Sequence, residues 1–90
     1  MQRVIVFYSG RVQGVGFRFT VRQIASGYDV TGTIRNLSDG RVELIAEGMR
    51  SELEAFLTGI DQSDLSGFIA GKSETWQEAQ GNLRGFSIGF

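Results

Sequence analysis

The chain has 90 residues, of which 41% are hydrophobic, which is enough for one small domain with a modest core. It contains no cysteine and no histidine, which leaves no disulfide or thiolate metal site and argues against zinc chemistry and histidine-dependent catalysis. The net charge of −1 is uneven. Six arginines oppose two aspartates in residues 1–41, giving +4, and three basic residues oppose eight acidic ones in residues 42–90, giving −5. A basic first half suits an anionic ligand, although it is also typical of a solvated face.

Hydropathy gives no indication of a membrane protein. No apolar run approaches the ~20 residues of a membrane span, and the first residues do not resemble a signal peptide. We therefore expect a cytoplasmic protein without membrane contacts, and a monomer, because the short chain shows no obvious apolar patch.

The first third of the chain predicts a strand, a glycine-rich loop and a helix. Val4–Ser9 is expected to be a buried strand, because its first five residues are apolar and mostly β-branched or aromatic. Three glycines follow within residues 10–16. From Phe17 onward, apolar residues recur at the spacing of one helix face, and Gly27 lies where a glycine commonly ends a helix.

The middle of the chain predicts an antiparallel hairpin. Val30–Arg35 alternates in the manner of a strand, and Val42–Ala46 does so again. Leu37–Gly40 separates them and contains the dipeptide Asp-Gly, a strong turn signal.

A second helix is expected after the hairpin. Ser51 and Glu54 have the Ser-x-x-Glu spacing of a capping box, which predicts the helix start. The apolar stripe of this helix consists of Leu53, Phe56, Leu57 and Ile60.

The last third predicts a polar loop over Asp61–Gly67, a fourth strand from Phe68 to about Trp76 that Gly71 weakens, and a short strand over Gly85–Phe90. The order β-α-β-β-α-β with an extra C-terminal strand predicts an α+β fold, a ferredoxin-like α/β sandwich. Its sheet should be mostly antiparallel, with both helices on one face. We expect the first and third strands to be parallel neighbours at the centre, flanked by the second and fourth.

The glycine-rich loop predicts a phosphate-binding cradle. Strand, glycine loop and helix start is the geometry that presents backbone N–H groups to an oxyanion. Arg18 stands at the helix start, where the positive end of the helix disfavours a cation unless an anion compensates it. The simpler alternative is a tight strand-to-helix connection. The loop lacks the Gly-Lys-Ser/Thr ending of magnesium-nucleotide loops, and no glycine follows Gly16 at the offset of the dinucleotide fingerprint.

Asn36 is the second candidate site residue. It ends the second strand, at an end that can approach the loop after the first strand in this fold. The alternative is an ordinary strand-terminal asparagine that bonds to its own turn. RNA binding is disfavoured, because the third strand carries two acids and no aromatic residue where an RNA-recognition module of this topology presents its aromatics.

Two segments resemble the signatures of the acylphosphatase family. Residues 10–18, Gly-Arg-Val-Gln-Gly-Val-Gly-Phe-Arg, are similar to the first signature almost letter for letter. Residues 32–40, Gly-Thr-Ile-Arg-Asn-Leu-Ser-Asp-Gly, are similar to the second. With further likeness in the third and last strands, the resemblance covers nearly the whole chain. Thr33 stands where relatives carry an aromatic residue, and Arg41 where many carry a small hydroxyl residue.

The resemblance implies hydrolysis of small acyl phosphates, with inorganic phosphate as product and inhibitor and with no metal or cofactor. It implies that Arg18 holds the phosphoryl oxygens and that Asn36 positions the attacking water. It also implies that loop N–H groups bind the phosphoryl group, from Gln13, Gly14, Val15, Gly16 and Phe17. In some relatives the C-terminal carboxylate, here that of Phe90, comes near the arginine. The alternative function is a non-catalytic anion-binding or regulatory module of the same fold.

Overall fold

A computed structural model describes residues 1–89 and places two helices on one face of a five-stranded sheet. The strands are β1 (Gln2–Gly10), β2 (Val30–Asn36), β3 (Val42–Gly48), β4 (Ile69–Glu78) and β5 (Phe86–Ile88). The helices are α1 (Phe17–Ala25) and α2 (Arg50–Asp61), and a short 3₁₀ helix spans Asp64–Phe68. The element order and the single helical layer confirm the predicted ferredoxin-like α+β sandwich with an added C-terminal strand.

The strand order is β4-β1-β3-β2-β5. As predicted, β1 and β3 are central neighbours, but the expectation that they run parallel is wrong: all their pairings are antiparallel, from Gln2 opposite Gly48 to Tyr8 opposite Val42. The tight β2–β3 hairpin is the reason, because it reverses the chain and inserts β3 between β1 and β2. The crossover through α1 thus joins two parallel strands, β1 and β2, that are separated by β3. Among the described strands, β5 alone pairs in parallel, along β2.

The core lies between the sheet and the helices. Alternate residues of β1 and β3 point into it, as do the predicted apolar stripes of both helices. Its fully buried members include Val4, Val6, Tyr8, Phe17, Val21, Ile34, Leu44, Leu53, Phe56 and Ile60. Phe17, the first residue of α1, packs on Tyr8 of β1 with 5.2 Å between ring centroids. This contact fixes the helix start, and with it the end of the glycine loop, against the sheet.

The predicted capping box does not form. Helix α2 begins at Arg50, and its N-cap is Met49, whose side chain offers no oxygen to the helix end. Ser51 therefore lies inside the first turn and cannot cap it. Glu54 accepts a hydrogen bond from Arg50 at 2.8 Å instead, one turn along the helix.

The segment expected as a polar loop after α2 contains the 3₁₀ helix. The Ser63 hydroxyl accepts a hydrogen bond of 3.1 Å from the backbone N–H of Leu65, and the Leu65 side chain is buried. Gly71 does not break β4, but the pairing register with β1 shifts beside it, between Ser9 and Gly10. The predicted last strand is shorter than expected, and its final residue Phe90 lies outside the described residues.

A buried ion pair holds the end of the sheet that lies away from the glycine loop. Arg3 Nε donates to Glu47 Oε2 at 2.7 Å, linking β1 to β3. Glu47 also accepts backbone hydrogen bonds from Gln80 and Gly81, and Arg3 Nη2 reaches Asn82 Oδ1 at 2.8 Å. Burial acts to raise the pKa of Glu47, but the hydrogen bonds and the arginine outweigh it, so the pKa lies below its usual value.

Replacing Glu47 by Gln should destabilise the fold by about 2–4 kcal/mol at pH 7, because Arg3 would stay buried without its counter-charge. Folding lowers the pKa of Glu47, so the charged carboxylate stabilises the folded protein at pH values above the unfolded-state pKa of about 4.3. This stabilisation is lost as the pH falls through the pKa of the folded state. The gap between wild type and variant in urea-derived unfolding free energy should therefore shrink from pH 7 to pH 3. Glu54→Gln, at an exposed pair, should cost about 0.5 kcal/mol or less. A gap at Glu47 that is constant with pH would contradict this account.

Candidate active site

The loop between β1 and α1 has the backbone shape that the sequence predicts. Gly14 and Gly16 have φ angles of +78° and +76°, in the left-handed region that L-residues with a side chain rarely adopt. Left-handed residues alternating with ordinary ones turn successive N–H groups toward a common concavity. Within residues 1–89, no N–H from Gln13 to Phe17 donates to a protein acceptor. These donors are available to an anion.

The N-terminus of α1 adds to this concavity. Gly16 is its N-cap and provides no side-chain acceptor, and the first turn contains no acidic residue. The first N–H groups of a helix have no partner within the helix, and the helix dipole places partial positive charge there. Arg18 lies in this first turn, so the helix end and the guanidinium present positive charge together.

Arg18 is half-buried and contacts the C-terminal segment. Its Nη1 lies 3.3 Å from the carbonyl oxygen of Gly89, to which it donates. The backbone N–H of Gly89 in turn donates to the Ile34 carbonyl of β2 at 2.8 Å, so the segment is pinned to the sheet. The carboxylate of Phe90, which the resemblance suggested near this arginine, lies outside the described residues.

Asn36 ends β2 and lines the same cavity as Arg18. Its Oδ1 is buried and has no hydrogen-bond partner in the described part of the chain. The turn after β2 is closed by backbone bonds, from Gly40 to Leu37 and from Leu37 to Arg41. Among residues 1–89 the Asn36 side chain makes no hydrogen bond to this turn, contrary to the alternative of an asparagine that bonds its own turn. An unsatisfied buried acceptor costs about 1–3 kcal/mol, which indicates that a ligand or water completes it.

The side chain of Gln13 makes a contact that the sequence does not predict. Its Nε2 donates to two backbone carbonyls of the β2–β3 turn, Leu37 at 2.8 Å and Arg41 at 2.9 Å. The sequence predicts a role only for its backbone N–H, and an isolated glutamine in a loop carries no signal for a cross-loop contact. The amide ties the glycine loop to the turn that follows Asn36.

The loop, α1 and β5 border an open cavity of about 580 Å³. Arg18, Arg22, Asn36 and Ser87 contribute its polar lining. The apolar lining comes mainly from Phe17, Phe19, Phe86 and Ile88. Sequence reasoning missed this apolar side, because β5 reaches the site only through its pairing with β2. The volume lies in the ~300–1,000 Å³ range of small-molecule sites, so the cavity can hold an organic group beside an anion.

A sequence model of the acylphosphatase family matches residues 4–88.

The chain belongs to the acylphosphatase family.

It is 44% identical over 88 residues to an acylphosphatase of Acidothermus cellulolyticus, a match that covers 94% of this chain and 84% of that protein. An acylphosphatase of Roseiflexus sp. is 41% identical over 88 residues, covering 98% and 95% of the two chains. The crystal structure of acylphosphatase from Bacillus subtilis superimposes with a TM-score of 0.91 and 32% identity over 100% of both chains. Family and fold together make the chain a hydrolase of the acylphosphatase type.

The described part of the chain contains neither a cluster of metal-ligating side chains nor a membrane-spanning helix. Among residues 1–89, no group of three or more His, Cys, Asp or Glu side chains is placed to hold a metal ion. None of the helices described is long and apolar enough to cross a membrane.

Replacing Gly16 by Ala should lower the unfolding free energy by about 1 kcal/mol, because the left-handed conformation disfavours a Cβ atom. An added Cβ there meets nothing within 4 Å, so the effect is conformational rather than steric. As the loop relaxes its N–H groups turn, and calorimetry should show phosphate affinity reduced by about fivefold or more. Gly67→Ala is the matched control, since its Cβ also enters open space but without a left-handed φ. Unchanged phosphate affinity in Gly16→Ala would show that the loop conformation does not matter for binding.

Proposed function

We propose that this cavity hydrolyses small acyl phosphates to a carboxylate and inorganic phosphate, by in-line attack of a water molecule that Asn36 positions. The observation that carries the proposal is the buried Oδ1 of Asn36, which has no hydrogen-bond partner among residues 1–89 and lies in the same cavity as Arg18 and the glycine loop. The cavity thus combines anion donors with one neutral acceptor. This combination suits a bound phosphoryl group with a water beside it.

The phosphoryl group is bound by fixed donors in this proposal. The N–H groups of residues 13–17 and the guanidinium of Arg18 contact its non-bridging oxygens. Bonds from charged donors to oxyanions are about twice as strong as neutral ones, and the planar guanidinium can contact two oxygens at once. Phosphoryl transfer depends chiefly on positioning and on stabilising the charge of these oxygens, so donors that are already in place need not reorganise during reaction.

Asn36 orients the nucleophile. Its Oδ1 accepts a hydrogen bond from water and directs the water oxygen toward phosphorus, opposite the leaving carboxylate. The new bond joins the water oxygen to phosphorus, and the bond between phosphorus and the acyl oxygen breaks. The water proton passes to a phosphoryl oxygen, which gives inorganic phosphate and a free carboxylate. Asn36 takes no proton at any step.

The leaving group explains why no general acid is needed. A carboxylate is the base of an acid with a pKa of about 4–5, so it departs without protonation at neutral pH. A cavity lined by arginine, asparagine and serine can therefore perform the reaction without histidine, cysteine or a bound metal. We accordingly expect turnover to survive treatment with a chelator.

The test of the two side chains uses benzoyl phosphate in a spectrophotometric assay on chelator-treated protein. Arg18→Ala should abolish both turnover and inhibition by phosphate, because it removes the charge that binds the phosphoryl group. Asn36→Ala should lower kcat by about 10²–10³ and leave phosphate affinity in calorimetry within about threefold, because it removes only an interaction with water.

Arg84→Ala serves as the matched control, because Arg84 is exposed and does not line the cavity. Near-normal turnover in Asn36→Ala would overturn the role of this residue. Phosphate binding without hydrolysis in the wild type would instead support the non-catalytic anion-binding module.

The contact made by Gln13 can be tested separately. Gln13→Met keeps the length of the side chain but removes both hydrogen bonds to the β2–β3 turn. Stability should fall by about 1–2 kcal/mol. Small displacements of reacting groups slow a reaction strongly, so kcat should fall about tenfold. Phosphate affinity should change by less than about threefold. Gln23→Met, an exposed substitution on α1, should change neither. A loss of stability without a loss of kcat would limit Gln13 to a structural role.

A further inference from the structure

The wall of the cavity carries a second arginine besides Arg18. Arg22 lines it together with Arg18, one helical turn further along α1. Among the described residues that line the cavity there is no aspartate or glutamate. Within residues 1–89, the lining of the cavity therefore contains no carboxylate that would neutralise this second arginine.

Four other arginines of the chain have carboxylate partners. Ion pairs of 2.7–2.8 Å join Arg3 to Glu47, Arg35 to Glu43, Arg41 to Asp39 and Arg50 to Glu54. Within residues 1–89, Arg22 has no such partner, and α1 contains no acidic residue at all. Its neighbour four residues earlier is Arg18, and like charges at this spacing repel each other on a helix. An anion in the cavity would relieve this repulsion.

The position of Arg22 sets where a second anion would bind. Side chains four residues apart on a helix start about 5–6 Å from each other. Since α1 begins at the loop and runs away from it, Arg22 lies beyond the end of a phosphoryl group held at Arg18. Apolar side chains line the same cavity, including Phe86, Ile88 and Phe19, which is 58% exposed. A short hydrocarbon chain can lie against these side chains and carry its far end to Arg22.

We propose that Arg22 is a specificity-determining residue that selects acyl phosphates whose acyl chain ends in a second anionic group, such as a carboxylate. The proposal rests on the proposed function, because Arg18 and the loop must hold the phosphoryl end. It assigns the apolar side of the cavity to the carbon chain and Arg22 to the distal anion. No covalent step changes.

A kinetic test compares succinyl phosphate with butyryl phosphate, which have acyl chains of equal length that end in a carboxylate and a methyl group. Wild type should show the higher kcat/KM for succinyl phosphate. Arg22→Gln should reduce the ratio of the two kcat/KM values by about five- to tenfold, as expected for a charge-assisted contact at a partly solvated site. The reduction should appear mainly in KM, because the contact is remote from the reacting atoms.

A binding test avoids turnover altogether. 5-Phosphonopentanoate and pentylphosphonate cannot be hydrolysed, and they differ only in the terminal carboxylate. Calorimetry at low salt should show tighter binding of the carboxylate compound to wild type and loss of this preference in Arg22→Gln. Added salt should weaken the preference as well, since Arg22 is exposed. Arg84→Gln removes an exposed arginine outside the cavity and should leave both selectivity ratios unchanged.

The outcomes separate this proposal from the one on which it rests. Arg22 also lies in the last turn of α1, where a cation stabilises a helix, but loss of that effect alone would not move a selectivity ratio. Hydrolysis of both substrates without a preference in wild type, or equal losses on both in Arg22→Gln, would overturn the role of Arg22 and leave the proposed function standing. Hydrolysis of neither substrate, with the phosphonate preference intact, would overturn the proposed function and support the Arg22 contact.

Discussion

Two hydrogen bonds from the Gln13 amide fix the position of the glycine loop relative to the end of β2 that carries Asn36. The loop and this strand end are the two halves of the site. The anion donors belong to the loop after β1, whereas Asn36 belongs to β2, and these two strands do not touch because β3 lies between them. The ladder bonds of the sheet therefore fix each half only through β3. Gln13 crosses this gap, because its Nε2 reaches the carbonyls of Leu37 and Arg41, which flank the hairpin turn. In the proposed mechanism, the spacing between the phosphoryl group and Asn36 depends on this bridge.

The two ends of the sheet satisfy their polar groups differently. At the end where Tyr8 and Asn36 both face Val42, the loop leaves several N–H groups without protein acceptors, and Asn36 Oδ1 has no partner in the described residues. At the opposite end, Arg3 and Glu47 satisfy each other and also bind the segment after β4. Hydrogen-bond donors and acceptors without partners lower the stability of the fold, and buried apolar contacts along α1 and α2 offset that loss. The end of the sheet that carries these unpaired groups is the one available to a ligand.

Local patterns in the sequence predict most of the elements, and interactions between distant segments account for the errors. The helix start at Phe17 and the Asp-Gly hairpin were correct, because short-range spacing and turn chemistry determine them. Whether β1 and β3 run parallel or antiparallel depends on where the hairpin inserts β3 into the sheet. No local sequence pattern specifies that position. The capping box failed because α2 begins before Ser51. For the site, glycine spacing and charge indicated the loop and Arg18, whereas Asn36 was indicated by its position at the end of the second strand and by the family resemblance. Arg18 and Asn36 do line one cavity. The Gln13 bridge and the apolar wall from β5 arise only from tertiary contacts. The roles of the site residues, the single domain, the monomeric state and the cytoplasmic location stay predictions.

The chemistry of the leaving group determines what kind of site is sufficient. Acid–base catalysis at neutral pH works best with a side chain whose pKa lies near 7, such as histidine. The described residues that line the cavity include no histidine, cysteine, aspartate or glutamate. An acyl phosphate removes that requirement, because its carboxylate departs without a proton and phosphate can accept the proton of water. What the protein must supply is charge and orientation that do not titrate. Arginine remains charged throughout the physiological range, backbone N–H groups are permanent dipoles, and asparagine is neutral at every relevant pH. In the two proposals, selectivity among substrates comes from the acyl side of the cavity, which Arg22 lines.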